Sequence, residues 1–267
     1  MYSLHLICAP DEVDLLSAEL WELGTEGIQE IESAASVELI AGFEREQPEL
    51  LRQFARYQPE WEQHPATDWV AHTHAWWPPR EVGARLFLAP AWSEAPTPDG
   101  RVRLVHNPGL ASGTGEHPCT QLALAALEKT LSPGARVLDV GTGSGILALA
   151  ALLLGGSLAA GIDTDAEALQ TAKENFELNH LEPTLVAGSM DCLRDACADV
   201  TVANISGTVL LSIFDDLIRV TNPGGYLILT GFTEGELDTF LQLLPGARVT
   251  QLNEWRCVSA QFSSEMF

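Results

Sequence analysis

The chain has 267 residues, 46% of them apolar, which is enough for a sizeable core and too many for wholesale disorder. Acidic residues outnumber basic ones 37 to 14, a formal net charge of −23. That surface repels phosphate backbones, so direct nucleic-acid binding is not expected and a basic partner is. Five scattered cysteines (Cys8, Cys119, Cys192, Cys197, Cys257) contain no C-x-x-C pair, which argues against a disulfide framework and a zinc site. They suit a reducing, cytoplasmic setting. The opening M-Y-S-L-H-L-I-C-A-P-D-E lacks the basic start and long apolar run of a signal peptide. Ile146–Leu154 is too short to span a bilayer, so no membrane partner is expected.

In chain order, Tyr2–Cys8 alternates like a strand and Asp11–Leu23 reads as an amphipathic helix closed by Gly24. Gly27–Ile31 and Val37–Phe43 read as strands, and Pro48–Tyr57 as a helix with its proline in the first turn. The order β-α-β-β-α over residues 1–58 predicts a small α+β, ferredoxin-like domain with its helices on one face. Residues 59–80 interleave Pro59, Pro65, Pro78 and Pro79 with Trp61, Trp69, Trp76 and Trp77. They read as a packed linker, or alternatively as an aromatic surface facing a substrate.

Residues 81–267 form the second predicted domain. Arg136–Val140, Ala159–Asp163, Thr184–Ala187, Asp199–Asn204 and Tyr226–Gly231 are β-rich runs. Helical stretches lie between them at Ile146–Leu154, Ala166–Asn179 and Val209–Val220. Alternating strands and helices predict right-handed crossovers and a mainly parallel sheet covered on both faces. Arg248–Glu254 and Val258–Phe262 are too close for a crossover and should pair antiparallel.

Ligands of such sheets bind at the carboxyl ends of the strands, where the strand order reverses. The run Val137-Leu138-Asp139-Val140-Gly141-Thr142-Gly143-Ser144-Gly145 is a strand entering a glycine turn before a helix. Its G-x-G-x-G spacing departs from the dinucleotide fingerprint G-x-G-x-x-G. A pyrophosphate would also sit poorly beside Asp139. S-adenosylmethionine carries a cationic amino group and a sulfonium, and Asp139 suits it directly or through water. The competing reading is a merely tight turn. Asp163 ends the next strand, 22 residues after Gly141, where an acid hydrogen-bonds ribose hydroxyls. The alternative role, capping the helix from Ala166, fits Asp165 better. Asn204 ends a further strand and would face the methyl donor, although asparagine also commonly starts turns. The segment Asn107–Thr120 is rich in glycine and precedes a helix at Gln121–Thr130, so it could close over a ligand.

Taken together, Gly113-Thr114-Gly115-x-His117-Pro118-x-Thr120, the Asp139–Gly145 run, Gly161-Ile162-Asp163-x-Asp165 and Ala203-Asn204-Ile205 closely resemble the PrmA family. Its enzymes methylate a protein of the large ribosomal subunit. The resemblance runs from about Trp61 to the C-terminus and includes Glu254-Trp255. It implies a Rossmann-like, class I, S-adenosylmethionine-dependent fold that transfers methyl groups to protein amines. It further implies cofactor contacts at Thr120, Gly141, Asp163 and Asn204, with Thr114, Asp139 and Gly143 in the same motifs, and substrate recognition by the N-terminal domain. Asn204 would orient the incoming amine through its carbonyl oxygen, and His117 is a candidate catalytic group, with loop ordering as its alternative. Ser112 and Cys119 depart from the family pattern, where phenylalanine and threonine are usual. Two other readings stay open: a methyltransferase of this fold acting on another protein or a small molecule, and a non-catalytic cofactor binder. Oligomeric state is not legible.

Overall fold

Alternation along the first strand decides which way the N-terminal sheet faces. In Tyr2–Cys8 (β1), Leu4, Leu6 and Cys8 are buried, whereas Ile7 is exposed. The computed structural model describes residues 2–25, 27–32, 36–63, 77–107 and 115–262. It divides into two units, Met1–Trp76 and Trp77–Phe267.

In the first unit β1 is followed by α1 (Val13–Glu22), β2 (Gly27–Glu32), β3 (Val37–Phe43), α2 (Leu50–Gln53) and β4 (Glu60–Gln63). The strand order is β2-β3-β1-β4 with every pairing antiparallel, the arrangement a ferredoxin-like α+β domain requires. Leu16 and Leu20 of α1 join Leu4, Leu6, Leu39 and Phe43 in one core. Two details depart from expectation. The helix predicted over Pro48–Tyr57 is only Leu50–Gln53 plus a 3-10 turn at Ala55–Tyr57, because Phe54 leaves helical geometry between them. The stretch read as linker begins instead with β4, which pairs along β1. Its Trp61 packs edge-on against Phe43 at 5.5 Å and Tyr2 at 6.4 Å. Nothing local marks E-W-E-Q as a strand; the open edge of β1 recruits it. Trp69, Trp76 and Pro65 lie outside the described residues.

The second unit starts with a small sheet of β5 (Arg80–Val82), β6 (Leu86–Pro90) and β7 (Val102–His106), which the sequence reading did not resolve into strands. Next come α3 (Pro118–Thr130), β8 (Arg136–Val140), α4 (Ile146–Leu153), β9 (Leu158–Asp163), α5 (Ala166–Leu178), β10 (Thr184–Ala187) and β11 (Ala198–Asn204). The chain ends with α6 (Gly207–Ser212), α7 (Phe214–Val220), β12 (Thr221–Thr233), α8 (Glu234–Leu243), β13 (Arg248–Leu252) and β14 (Trp255–Gln261). The helix expected over Val209–Val220 is therefore two, broken at Ile213. The helix expected from Gln121 starts three residues earlier, at Pro118.

Among the described residues the main sheet has the order β10-β9-β8-β11-β12-β14-β13. The first five strands run parallel, and β14 runs antiparallel to both its neighbours. Successive residues feed opposite cores: Val137, Val202 and Ile228 pack with α3 and α4, while Leu138, Ala203 and Leu229 pack with α7 and α8. Both faces are thus covered, as a parallel sheet demands. From β8 the chain steps outward to β9 and β10, then returns to β11 on the other side of β8. That reversal opens a crevice at the carboxyl ends of β8 and β11.

Candidate active site

Asp139, one residue before the end of β8, is only 1% exposed. Its Oδ2 accepts from the Thr142 hydroxyl at 2.7 Å and from the Ala148 amide in the first turn of α4 at 3.1 Å. The carboxylate thereby serves an otherwise unpaired helix donor. Its other oxygen, Oδ1, is buried with no hydrogen-bond partner. Burial pushes the Asp139 pKa up to about 6, and the nearby charge of Asp163 adds to that, while the bonds from Thr142 and Ala148 oppose it. A buried carboxylate with an orphan oxygen is ready for a cationic group.

Beyond it, Gly141, Gly143 and Gly145 all have positive φ (68°, 52° and 76°), backbone that side-chain-bearing residues seldom adopt. Two of these glycines make room for neighbouring protein. A Cβ on Gly141 would lie 2.4 Å from Ile205 Cγ2, and one on Gly145 2.9 Å from the Ala172 methyl and 3.3 Å from the Phe176 ring. Close packing of α5 and of the residue after Asn204 is thus built into the motif.

Asp163 ends β9 and ties the two turns together. Its Oδ2 accepts from Gly143 N–H at 2.9 Å and its Oδ1 from Asp165 N–H at 3.0 Å. Asp165, as expected, caps α5 through Glu167 N–H at 2.9 Å. Asn204 ends β11, and its Nδ2 donates to Thr120 Oγ1 at 3.1 Å, joining residues 84 apart in sequence. With Nδ2 so engaged, Oδ1 is left as an acceptor. Asn204 adjoins the glycine turn through Ile205, which lies against Gly141. Thr114 falls outside the described residues.

His117 is placed differently. It is the N-cap of α3, its Nδ1 accepts from Cys119 N–H at 3.3 Å, and its exposed ring meets Trp255 edge-on at 4.7 Å. A neutral ring accepting at Nδ1 carries its proton on Nε2. Glu116 beside it pairs with Arg80. His106, which ends β7, is buried with an unpartnered Nδ1, and burial lowers its pKa to about 4. Sequence reasoning missed Thr142, Ile205 and Asn175. Thr142 sits inside the motif as its x. Asn175 had a signal, an asparagine pair at i and i+4 in the run N-F-E-L-N.

These features fit S-adenosylmethionine: an orphaned buried carboxylate oxygen, a glycine turn, an acid on the neighbouring strand tip and a polar pair across the crevice. A protein-family model described as Ribosomal protein L11 methyltransferase (PrmA) matches residues 12–263. The chain belongs to this family. A PrmA relative from Burkholderia vietnamiensis, named ribosomal protein L11 methyltransferase, is 39% identical over 189 residues, covering 71% of this chain and 61% of the relative. One of the same name from Hahella chejuensis is 38% identical over 177 residues, covering 66% and 58%. The match thus spans about three fifths of these relatives' length. A solved structure of a ribosomal protein L11 methylase from Lactobacillus delbrueckii subsp. bulgaricus superposes with a TM-score of 0.61 at 28% identity. That superposition covers 68% of this chain and 96% of that one. The Rossmann-like class I sheet is therefore that of PrmA proteins. No described helix is long and apolar enough to cross a membrane. The described cysteines form no disulfide, and the described residues hold no cluster of potential metal ligands.

Proposed function

We propose that the chain is an S-adenosylmethionine-dependent N-methyltransferase acting on amines of a large-subunit ribosomal protein, the substrate its relatives are named for. The observation that carries this reading is the unpaired Oδ1 of Asp139 beneath the glycine turn, beside the Asn204–Thr120 pair. When bound, S-adenosylmethionine supplies an electrophilic methyl group on its sulfonium. The residues of this chain then do the positioning. Asp139 receives the cationic amino group, and Asp163 has lone pairs left for the ribose hydroxyls while it holds Gly143. Asn204, fixed by Thr120, offers Oδ1 to the incoming amine and aligns it for in-line attack. His117 orders the start of α3. A lysine must reach the site uncharged, which burial between the covered sheet edge and the substrate favours.

The N-terminal unit is the proposed recognition module, and the net charge of −23 favours a basic protein in a cytoplasmic setting. Transfer of labelled methyl from S-adenosylmethionine into total ribosomal proteins tests the reading. It should label one large-subunit band, less efficiently as salt rises from low to physiological strength. Label in a metabolite fraction alone would overturn it.

A further inference from the structure

A buried side chain outside the motifs joins two parts of the site. Asn175 lies in the third turn of α5 and is only 1% exposed, on the face that also carries Ala172 and Phe176 against Gly145. An asparagine there lowers helix propensity and must bury an amide, which costs free energy unless both ends are paired. Both are. Its Nδ2 donates to the Ser144 carbonyl at 2.8 Å, and its Oδ1 accepts from the Asn107 amide at 2.8 Å. The Ser144–Gly145 peptide is held from its other side as well, since Gly145 N–H donates to the Thr142 carbonyl at 2.8 Å. The His106–Asn107 peptide is likewise gripped twice, its carbonyl accepting from Ala91 N–H at 2.9 Å. One turn on, Asn179 clamps Val105, accepting from its amide at 2.9 Å and donating to its carbonyl at 2.6 Å. Asn179 also donates to the Asn175 carbonyl at 2.7 Å, within α5, and makes no hydrogen bond to the glycine turn itself.

We propose that Asn175 is a positioning residue that sets the shape of the glycine turn and couples it to the end of β7, where the glycine-rich run from Asn107 begins. The proposal rests on the cofactor reading above, because the turn is what the cofactor would lie against. With Ser144–Gly145 pinned from α5, the turn is preorganised and binding does not have to order it. Loosening that peptide should weaken S-adenosylmethionine binding without slowing transfer once the site is full.

Asn175→Asp keeps the acceptor for Asn107 and removes the donor to Ser144. Asn179→Asp makes the same change one turn on, away from the turn. Calorimetric Kd for S-adenosylmethionine, kcat with saturating cofactor, and Tm are measured for both. The expected result is a similar fall in Tm and a preserved kcat for the two variants, with Kd raised at least tenfold only in Asn175→Asp. A Kd within twofold of wild type, or an equal rise in Asn179→Asp, would reduce Asn175 to a structural residue. Should Asn175→Asp not fold, Asn175→Ser takes its place. Hydrogen exchange in the wild-type protein gives a readout free of mutation: ligand should slow the Asn107 and Gly145 amides together. Protection of Gly145 without Asn107 would overturn the coupling. If wild type binds no S-adenosylmethionine, the functional reading fails by itself. The coupling then stands or falls on whether Asn175→Ser speeds exchange at Asn107 and Gly145 together.

Discussion

Two aspartates mark the two ends of the central strands, and their surroundings are opposite. Asp199, at the amino end of β11, is surrounded by donors: the Arg136 amide at 2.8 Å, the Arg136 side chain at 3.1 and 3.2 Å, and the Asn222 amide. The Arg136 guanidinium bonded to it holds its pKa below the usual carboxylate value. Asp139, at the carboxyl end of β8, is buried deeper and has one oxygen with no partner, so its pKa rises to about 6. The first arrangement favours the folded chain; the second leaves an unmet need that a ligand can fill. Strain follows the same division. Gly134, in the turn entering β8, and Gly145, beyond its exit, have nearly the same φ, 79° and 76°. A Cβ on Gly134 would meet nothing within 4 Å, whereas one on Gly145 would collide with Ala172.

The glycine pair gives the largest expected effect. Gly145→Val combines an adverse φ with a clash and should cost more than about 3 kcal/mol, visible as loss of a cooperative melt. Gly134→Ala, with the same backbone and open space, should cost only about 1 kcal/mol. Equal losses would mean that the carboxyl end is no more constrained than the amino end. Next, Asp139→Asn should raise stability at pH 8 while weakening cofactor binding. The folded protein binds a proton at Asp139 that the unfolded chain releases, so stability falls as pH rises from about 4 to about 6. The full penalty above that range is at most about 3 kcal/mol. A variant less stable than wild type at pH 8 would show that the ionised carboxylate carries more of the fold than its orphan oxygen suggests. Asp163→Ala should weaken S-adenosylmethionine binding by about 1–3 kcal/mol in calorimetry, the scale for an unpaired polar group. Unchanged affinity would move the ribose elsewhere. Smallest is Arg136→Gln. Its Tm should drop slightly at neutral pH, and the difference should vanish as acid carries Asp199 below its depressed pKa.

The carboxyl end was also the more legible in sequence. Val137–Gly145 announces itself because a parallel strand buried on both faces is continuously apolar and a tight turn needs glycine. The Asp163 spacing follows from the length of one βαβ crossover. Elements defined by partners far along the chain were harder to read. Strand β4 has no pattern of its own, and β5 to β7 lack the intervening helices that marked β8 to β12 as strands. The break at Ile213 has no glycine or proline to mark it in the run V-L-L-S-I-F-D-D-L-I-R-V. At the site, residue types were visible but their pairings were not: Thr120 with Asn204 and Asn175 with Ser144 exist only once the sheet has formed.

Calorimetric titration of S-adenosylmethionine between pH 5 and pH 7 bears hardest on the reading, because over that range the ligand's amino group stays protonated while Asp139 ionises. Wild-type affinity should rise about tenfold across the interval as the carboxylate takes up its charge, and Asp139→Asn should bind weakly and with no such slope. A wild-type affinity that is flat with pH, or a slope that survives in Asp139→Asn, would show that the cation is held by some other group.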